Sequence, residues 1–218
     1  MFSYVIDPFD GRIPALTPAA RAAAEQRQQA QAGRRVQLNG VEADWTTDRS
    51  NYDRCISTGV LNSITPKIYN SGSRIVQGPG WLAFSNEMIH ETRVIPLDAR
   101  PTLSPRLRSY MGDSHGRFEG NTLVVRTANF NGATGALANG NLMITSGALE
   151  IVERFTRTGP DTMQYEVTVN DPMTWARAWT VAFPLRRDPG YRMFEYACHE
   201  GNHAMSNILS GSRSDEKR

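Results

Sequence analysis

From Trp81 onward the chain alternates apolar and polar residues at period two, the signature of half-buried strands. The clearest case is Met163, Tyr165, Val167 and Val169, set against Gln164, Glu166, Thr168 and Asn170. Residues 149–157 and 163–170, joined by Thr158-Gly159-Pro160-Asp161, predict a hairpin. Residues 82–97 predict one long strand. Arg117 and Phe118 pair with 122–130 around Glu119-Gly120-Asn121. Asp171-Pro172 and Arg187-Asp188-Pro189-Gly190 set off two more strands, 175–185 and 193–198. Strands at this spacing predict a mainly β fold, with 81–198 an antiparallel meander closed into a lipocalin-like barrel or strongly curved sheet. Alternation alone does not say which face is inner.

Before Trp81 the pattern differs. Residues 1–47 read as an extended arm plus a helix, because Asp7-Pro8, Asp10-Gly11 and Ile13-Pro14 favour turns and extended backbone. Thr17-Pro18 starts a helix over 19–32, rich in Ala, Glu, Gln and Arg, which Gly33 can close. Its apolar face is mostly alanine, which suits a surface or a partner subunit in a homodimer. Residues 48–80 predict a short helix from Asp48 or Ser50, turning Tyr52, Cys55 and Ile56 inward, then a turn-rich stretch. The Gly/Asn/Ala-rich residues 131–147 predict a mobile flap over a pocket. Residues 199–218 end the single domain as a short helix and charged tail.

Composition narrows the function classes. The 218 residues carry a formal charge of +2, and the 24 basic residues are scattered and nearly all Arg. No basic stripe with interleaved aromatics appears, which argues against nucleic acid as a partner. No apolar run reaches the length of a membrane span. The first residues lack the parts of a signal peptide, so the chain is either cytoplasmic or the product of leader removal. Cys55 and Cys198 are either two buried thiols or a bond closing a long loop.

The densest chemistry lies in Phe194-Glu195-Tyr196-Ala197-Cys198-His199-Glu200-Gly201-Asn202-His203. His199 to His203 spells H-E-x-x-H, which on one helical face holds two zinc ligands and a general base. Gly201 weakens that helix, and few residues follow to supply a third ligand. Cofactor-free acid–base chemistry needs only titratable groups converging in a pocket with donors for a developing oxyanion. His90, flanked by Glu91 and Arg93, and His199 are the candidate proton carriers, with Asp113, Glu166 and Glu200 in support; Asp113 and His115 read as a tight loop in which the carboxylate orients the imidazole. Arg93 suits an anionic group on the substrate, and Tyr196 a positioning role. Trp175, Arg177 and Trp179 share one face at period two, predicting a guanidinium between indoles, as a ladder under the sheet or a wall for an aromatic ligand.

Five ordered blocks carry a resemblance: Asp7-Pro8 with Asp10-Gly11-Arg12-Ile13-Pro14, Glu87-Met88-Ile89-His90-Glu91-Thr92-Arg93, Gly112-Asp113-Ser114-His115-Gly116-Arg117-Phe118-Glu119-Gly120, Val152-Glu153-Arg154-Phe155-Thr156, and Glu195-Tyr196-Ala197-Cys198-His199-Glu200-Gly201-Asn202. Together they resemble a family of mostly hypothetical bacterial proteins that often carry export signals. The resemblance implies a removed leader, a periplasmic or secreted location and a Cys55–Cys198 bond. It also implies that a histidine at position 203 is not part of the pattern.

These residues lead to three readings. The first is a lyase or isomerase without organic cofactor or metal, acting on a bulky aromatic molecule. The second is a non-catalytic exported binding barrel. The third is a metal-dependent hydrolase using His199 and His203.

Overall fold

The strongest alternation in the sequence becomes the centre of the main sheet. In the computed structural model, residues 4–30, 36–37, 40–41, 43, 45–66, 69–136 and 143–215 are described. Their strands are β1 (Val5–Asp7), β2 (Val36–Gln37), β3 (Gly40–Val41), β4 (Ser73–Gly78), β5 (Trp81–Asn86), β6 (Thr92–Pro96), β7 (Asp113–Glu119), β8 (Thr122–Ala128), β9 (Gly135–Ala136), β10 (Met143–Ile144), β11 (Glu150–Gly159), β12 (Thr162–Asn170) and β13 (Trp179–Arg186). The helices are α1 (Pro18–Ala30), α2 (Gly59–Ile64) and α3 (His203–Asp215).

A six-stranded antiparallel sheet runs in the order β1-β13-β12-β11-β8-β7, and a three-stranded one in the order β4-β5-β6. The predicted hairpin is β11 and β12, with Phe155 opposite Tyr165 and Glu153 opposite Val167. Tyr165, Val167 and Val169 are fully buried, so the apolar set faces inward and Glu166 and Thr168 lie on the outer face. Each buried apolar side chain of this size contributes about 1.5–3 kcal/mol. Phe84 of β5 meets Phe155 of β11 at 5.7 Å between ring centres, and the series continues through Tyr165 to Phe183 at 4.9 and 5.1 Å. One core therefore serves both sheets. At Gly116 a Cβ would lie 2.8 Å from Leu97 Cδ2 and 3.0 Å from Ile95 Cγ2, so its bare backbone lets β7 pack beside β6. Among the described residues no ladder joins the two sheets into a closed barrel.

Several expected boundaries move. Residues 82–97 form two strands, because Ile89 and His90 take positive φ angles of 57° and 44° and make a tight 3₁₀ turn without glycine or proline. The stretch read as turn-rich contains α2 and β4. All six residues of α2 are buried, so it shows no amphipathic period. The helix expected from Asp48 or Ser50 is instead a 3₁₀ turn at Thr46–Asp48 followed by turns, with Cys55 at φ 56°. Residues 193–198 form no strand, and α3 begins at His203. Helix α1 starts as expected, with Thr17 Oγ1 accepting from Ala20 N at 3.1 Å, while the expected stop at Gly33 lies outside the described residues.

The expected flap is pinned at both stems. Thr145 Oγ1 donates to the Thr134 carbonyl at 2.7 Å, Asn62 donates to the Gly135 carbonyl at 2.6 Å, and Ser146 binds Asp171. Residues 137–142 of that loop lie outside the described residues.

Candidate functional site

The block 87–91 is a fastening hub. Glu87 is 2% exposed and accepts from Tyr191 Oη at 2.6 Å, Phe194 N at 3.2 Å and Asn70 Nδ2. Gly72 makes room for this, since a Cβ there would lie 2.7 Å from the Tyr191 ring and 2.9 Å from Glu87 Oε2. Glu91 accepts from Thr58 Oγ1 at 2.7 Å, Thr58 N at 3.1 Å, Ser63 Oγ at 3.0 Å and Ser57 Oγ, which holds α2. His90 itself is exposed, and its Nδ1–H donates to the Tyr196 carbonyl at 3.0 Å. Five residues thus hold α2 and the 191–196 segment to the end of β5.

Burial alone would raise the Glu87 carboxyl's pKa, but its three donors outweigh that and hold it below the ordinary value of 4.5. The sign follows. A carboxylate depressed in the fold adds stability that is present above pH 4.5 and is lost as pH falls through the folded value. Glu87→Gln should therefore be less stable than the parent at neutral pH, and the two should converge as the pH is lowered. Urea midpoints between neutrality and acid check this; a gap that stays constant across that range would contradict it.

The late segment, singled out by its chemistry, is a wall. Cys198 is disulfide-bonded to Cys55, with Cα atoms 5.7 Å apart. Asn202 Nδ2 donates to the Asp53 carbonyl at 3.1 Å. With residues 52–55 and α3 this segment encloses a cleft of about 700 Å³. Three phenols converge there: Tyr52 Oη lies 2.6 Å from Tyr69 Oη and 3.0 Å from Tyr196 Oη. Burial, then the neighbouring phenols, push Tyr52 well above its usual value, so its hydroxyl stays protonated at neutral pH. His199 and Glu200 sit in an exposed turn before α3, while His203 is that helix's first residue. His199 and His203 therefore do not share a helical face, which removes the basis of the H-E-x-x-H reading. Among the described residues no three His, Cys, Asp or Glu side chains converge as a metal-binding group.

Arg93 is in the core, 7% exposed, rather than at a pocket wall. Its two terminal nitrogens each lie 2.6 Å from an oxygen of Glu153, which is fully buried. Tyr165 Oη donates to Glu153 Oε1 at 3.0 Å, and the Arg93 guanidinium stands 5.6 Å from the centre of the Phe84 ring. Burial would lower the pKa of Arg93; the Glu153 carboxylate outweighs it and holds the guanidinium above its ordinary value. This fork joins β6 to β11 across the two sheets. It leaves no donor surface aimed at a substrate.

The other expected residues are dispersed. Asp113 and His115 do pair, at 3.1 Å, and Asp113 also accepts from Leu103 N at 2.8 Å. They lie on β7 rather than in a loop, and alternate with the inward Ser114 and Gly116. Glu166 stands on the outer face, opposite Arg154 and Ala182. Trp175 and Trp179 are core residues packed edge to face at 5.4 Å, and Arg177 pairs instead with Asp7, so the expected indole–guanidinium ladder is absent. The cause is the start of β13 at Trp179: Trp175 bridges Leu16, and residues 176–178 break the period. Of the nine expected catalytic and binding residues, only Tyr196 lines either of the two clefts described in this section.

The second cleft, of about 870 Å³, opens between β4 and the ends of β11, β12 and β13. Ile64, Phe84, Met163 and Leu185 contribute apolar walls, and Arg74, Arg157, Arg186 and Arg187 contribute cationic ones. Arg187 stands 3.5 Å from Asp161, and Arg157 donates to the carbonyls of Gly159 and Pro160. Arg74 and Arg186 have no ion-pair partner among the described residues. No local sequence signal marks these arginines, because they come from three strands and a turn and are scattered among the chain's other basic residues. Comparison with family models, curated proteins and solved structures finds no match to this chain.

Proposed function

We propose that this protein binds an amphipathic organic anion in the cleft between its two sheets. The observation that carries this reading is one cleft that joins apolar walls to Arg74 and Arg186, two guanidinium groups without an ion-pair partner among the described residues. The walls favour an aliphatic or aromatic body, at about 25 cal/mol per Å² buried, and the guanidinium forks favour a carboxylate or sulfonate head. A concave cleft beside β4 suits entry of a small molecule into an antiparallel scaffold. The Cys55–Cys198 bond favours an oxidising compartment and so a periplasmic or secreted protein. The lyase or isomerase reading has less support, because its residues lie in the core, on the outer sheet face and in an exposed turn.

Fluorescence titration with 2-naphthoate and with the neutral 2-naphthalenemethanol tests the proposal. The acid should bind at least about tenfold more tightly than the alcohol. Arg74→Ala with Arg186→Ala should weaken the acid about 10- to 100-fold while leaving the unfolding midpoint in place. Equal affinity of parent and variant for naphthoate would remove the reading.

A further inference from the structure

We propose that the tyrosine cleft is a second, independent ligand site that takes a small organic cation bearing N–H donors, an aryl- or alkylammonium. Three hydroxyls hold three donor hydrogens and six lone pairs. The two hydrogen bonds among Tyr69, Tyr52 and Tyr196 use two of each. One donor and four acceptors remain, so the trio offers mainly lone pairs to whatever enters the cleft.

The charged side chains of the lining have the same polarity. Asp53 and Glu195 add carboxylates, and among the described residues no Lys, Arg or His lines the cleft. The carboxylate of Glu195 has no hydrogen-bond or ion-pair partner among the described residues. An anion entering here would meet acceptors and negative charge. A neutral polyol would satisfy some lone pairs but leave the carboxylates uncompensated. An ammonium supplies both the donors and the positive charge, and phenol rings attract cations through their faces. Ala204, Met205 and Ile208 of α3 provide an apolar side for the body of such a molecule. The cleft between the two sheets, called the seam cleft, carries Arg74 and Arg186 instead, so the two sites select opposite charges.

The test uses benzylammonium, its neutral near-isostere benzyl alcohol, and benzoate, titrated into the full-length disulfide-bonded protein and followed by NMR shifts of the tyrosine ring signals. Benzylammonium should move the signals of Tyr52, Tyr69 and Tyr196 saturably. Its affinity should exceed that of benzyl alcohol at least about tenfold and fall as salt is added. Glu195→Gln should weaken benzylammonium about three- to tenfold with no change in the unfolding midpoint, since its carboxylate holds no part of the described fold together. Tyr69→Phe, which removes one hydroxyl, should also weaken it. Equal binding of benzylammonium and benzyl alcohol would overturn the charge selection. So would benzoate binding at the tyrosine signals, or no movement of those signals by millimolar benzylammonium. Because naphthoate binding at the seam is read separately, failure at either cleft leaves the other reading standing.

Discussion

Arg93→Met should destabilise the protein by about 3–5 kcal/mol, the usual result of removing one partner from a buried ion pair. Glu153 would remain at 0% exposure, and among the described residues only the Tyr165 hydroxyl would still donate to it. Glu153→Gln should fall in the same range, because it leaves the Arg93 guanidinium charged among Phe84, Ser114 and Thr127. Replacing both, as Arg93→Met with Glu153→Leu, should recover most of the loss, since apolar side chains of similar volume need no desolvated charge to be matched. Denaturant midpoints of the three variants, combined as a double-mutant cycle, give the coupling. A single variant within about 1 kcal/mol of the parent would show that Arg93 and Glu153 are not a desolvated pair. The pair matters for the fold because it crosses from β6 to β11, in a core made mainly of apolar side chains.

Removing the disulfide should be the second large effect. Cys55→Ser with Cys198→Ser opens a loop with a sequence separation of 143 residues. Removing a native disulfide typically costs about 2–5 kcal/mol, and the chain-entropy model puts a loop of this size near the top of that range. The loss should also be uneven. Residues 193–202 belong to no strand, and are held by the disulfide, the Phe194–Glu87, His90–Tyr196 and Tyr52–Tyr196 hydrogen bonds and Asn202. Without the bond this segment should exchange its amides earlier than β11 and β12, whose ladder is continuous. Hydrogen exchange with and without reductant measures the difference. Uniform loss of protection across the whole chain would contradict a local role for the bond, and the tyrosine cleft should lose benzylammonium affinity along with the segment.

The blocks that carried the family resemblance have roles that their residue types did not announce. In Glu87-Met88-Ile89-His90-Glu91, histidine suggested proton transfer, yet the two carboxylates act as fasteners and His90 holds a backbone carbonyl. In Val152-Glu153-Arg154-Phe155, Glu153 faces the core and Arg154 the outer face. Sequence showed that Asp113 and His115 were close enough to pair, and they do. It could not show that the pair sits away from both clefts.

By itself the sequence determined what depends on neighbours along the chain. The β11–β12 hairpin follows from alternation and a Gly-Pro turn, the start of α1 from Thr17-Pro18, and the polar and apolar sets of β12 from period two. The turn at Ile89–His90 escaped because it holds no glycine or proline, and α2 because its six residues are all buried and leave no amphipathic period to read. Only the tertiary structure decided which face of the sheet is inner, that Arg93 meets Glu153, and that Tyr52 and Tyr69 join Tyr196. Those outcomes depend on desolvation and on partners 17 to 144 positions apart, and local periodicity carries no information about either.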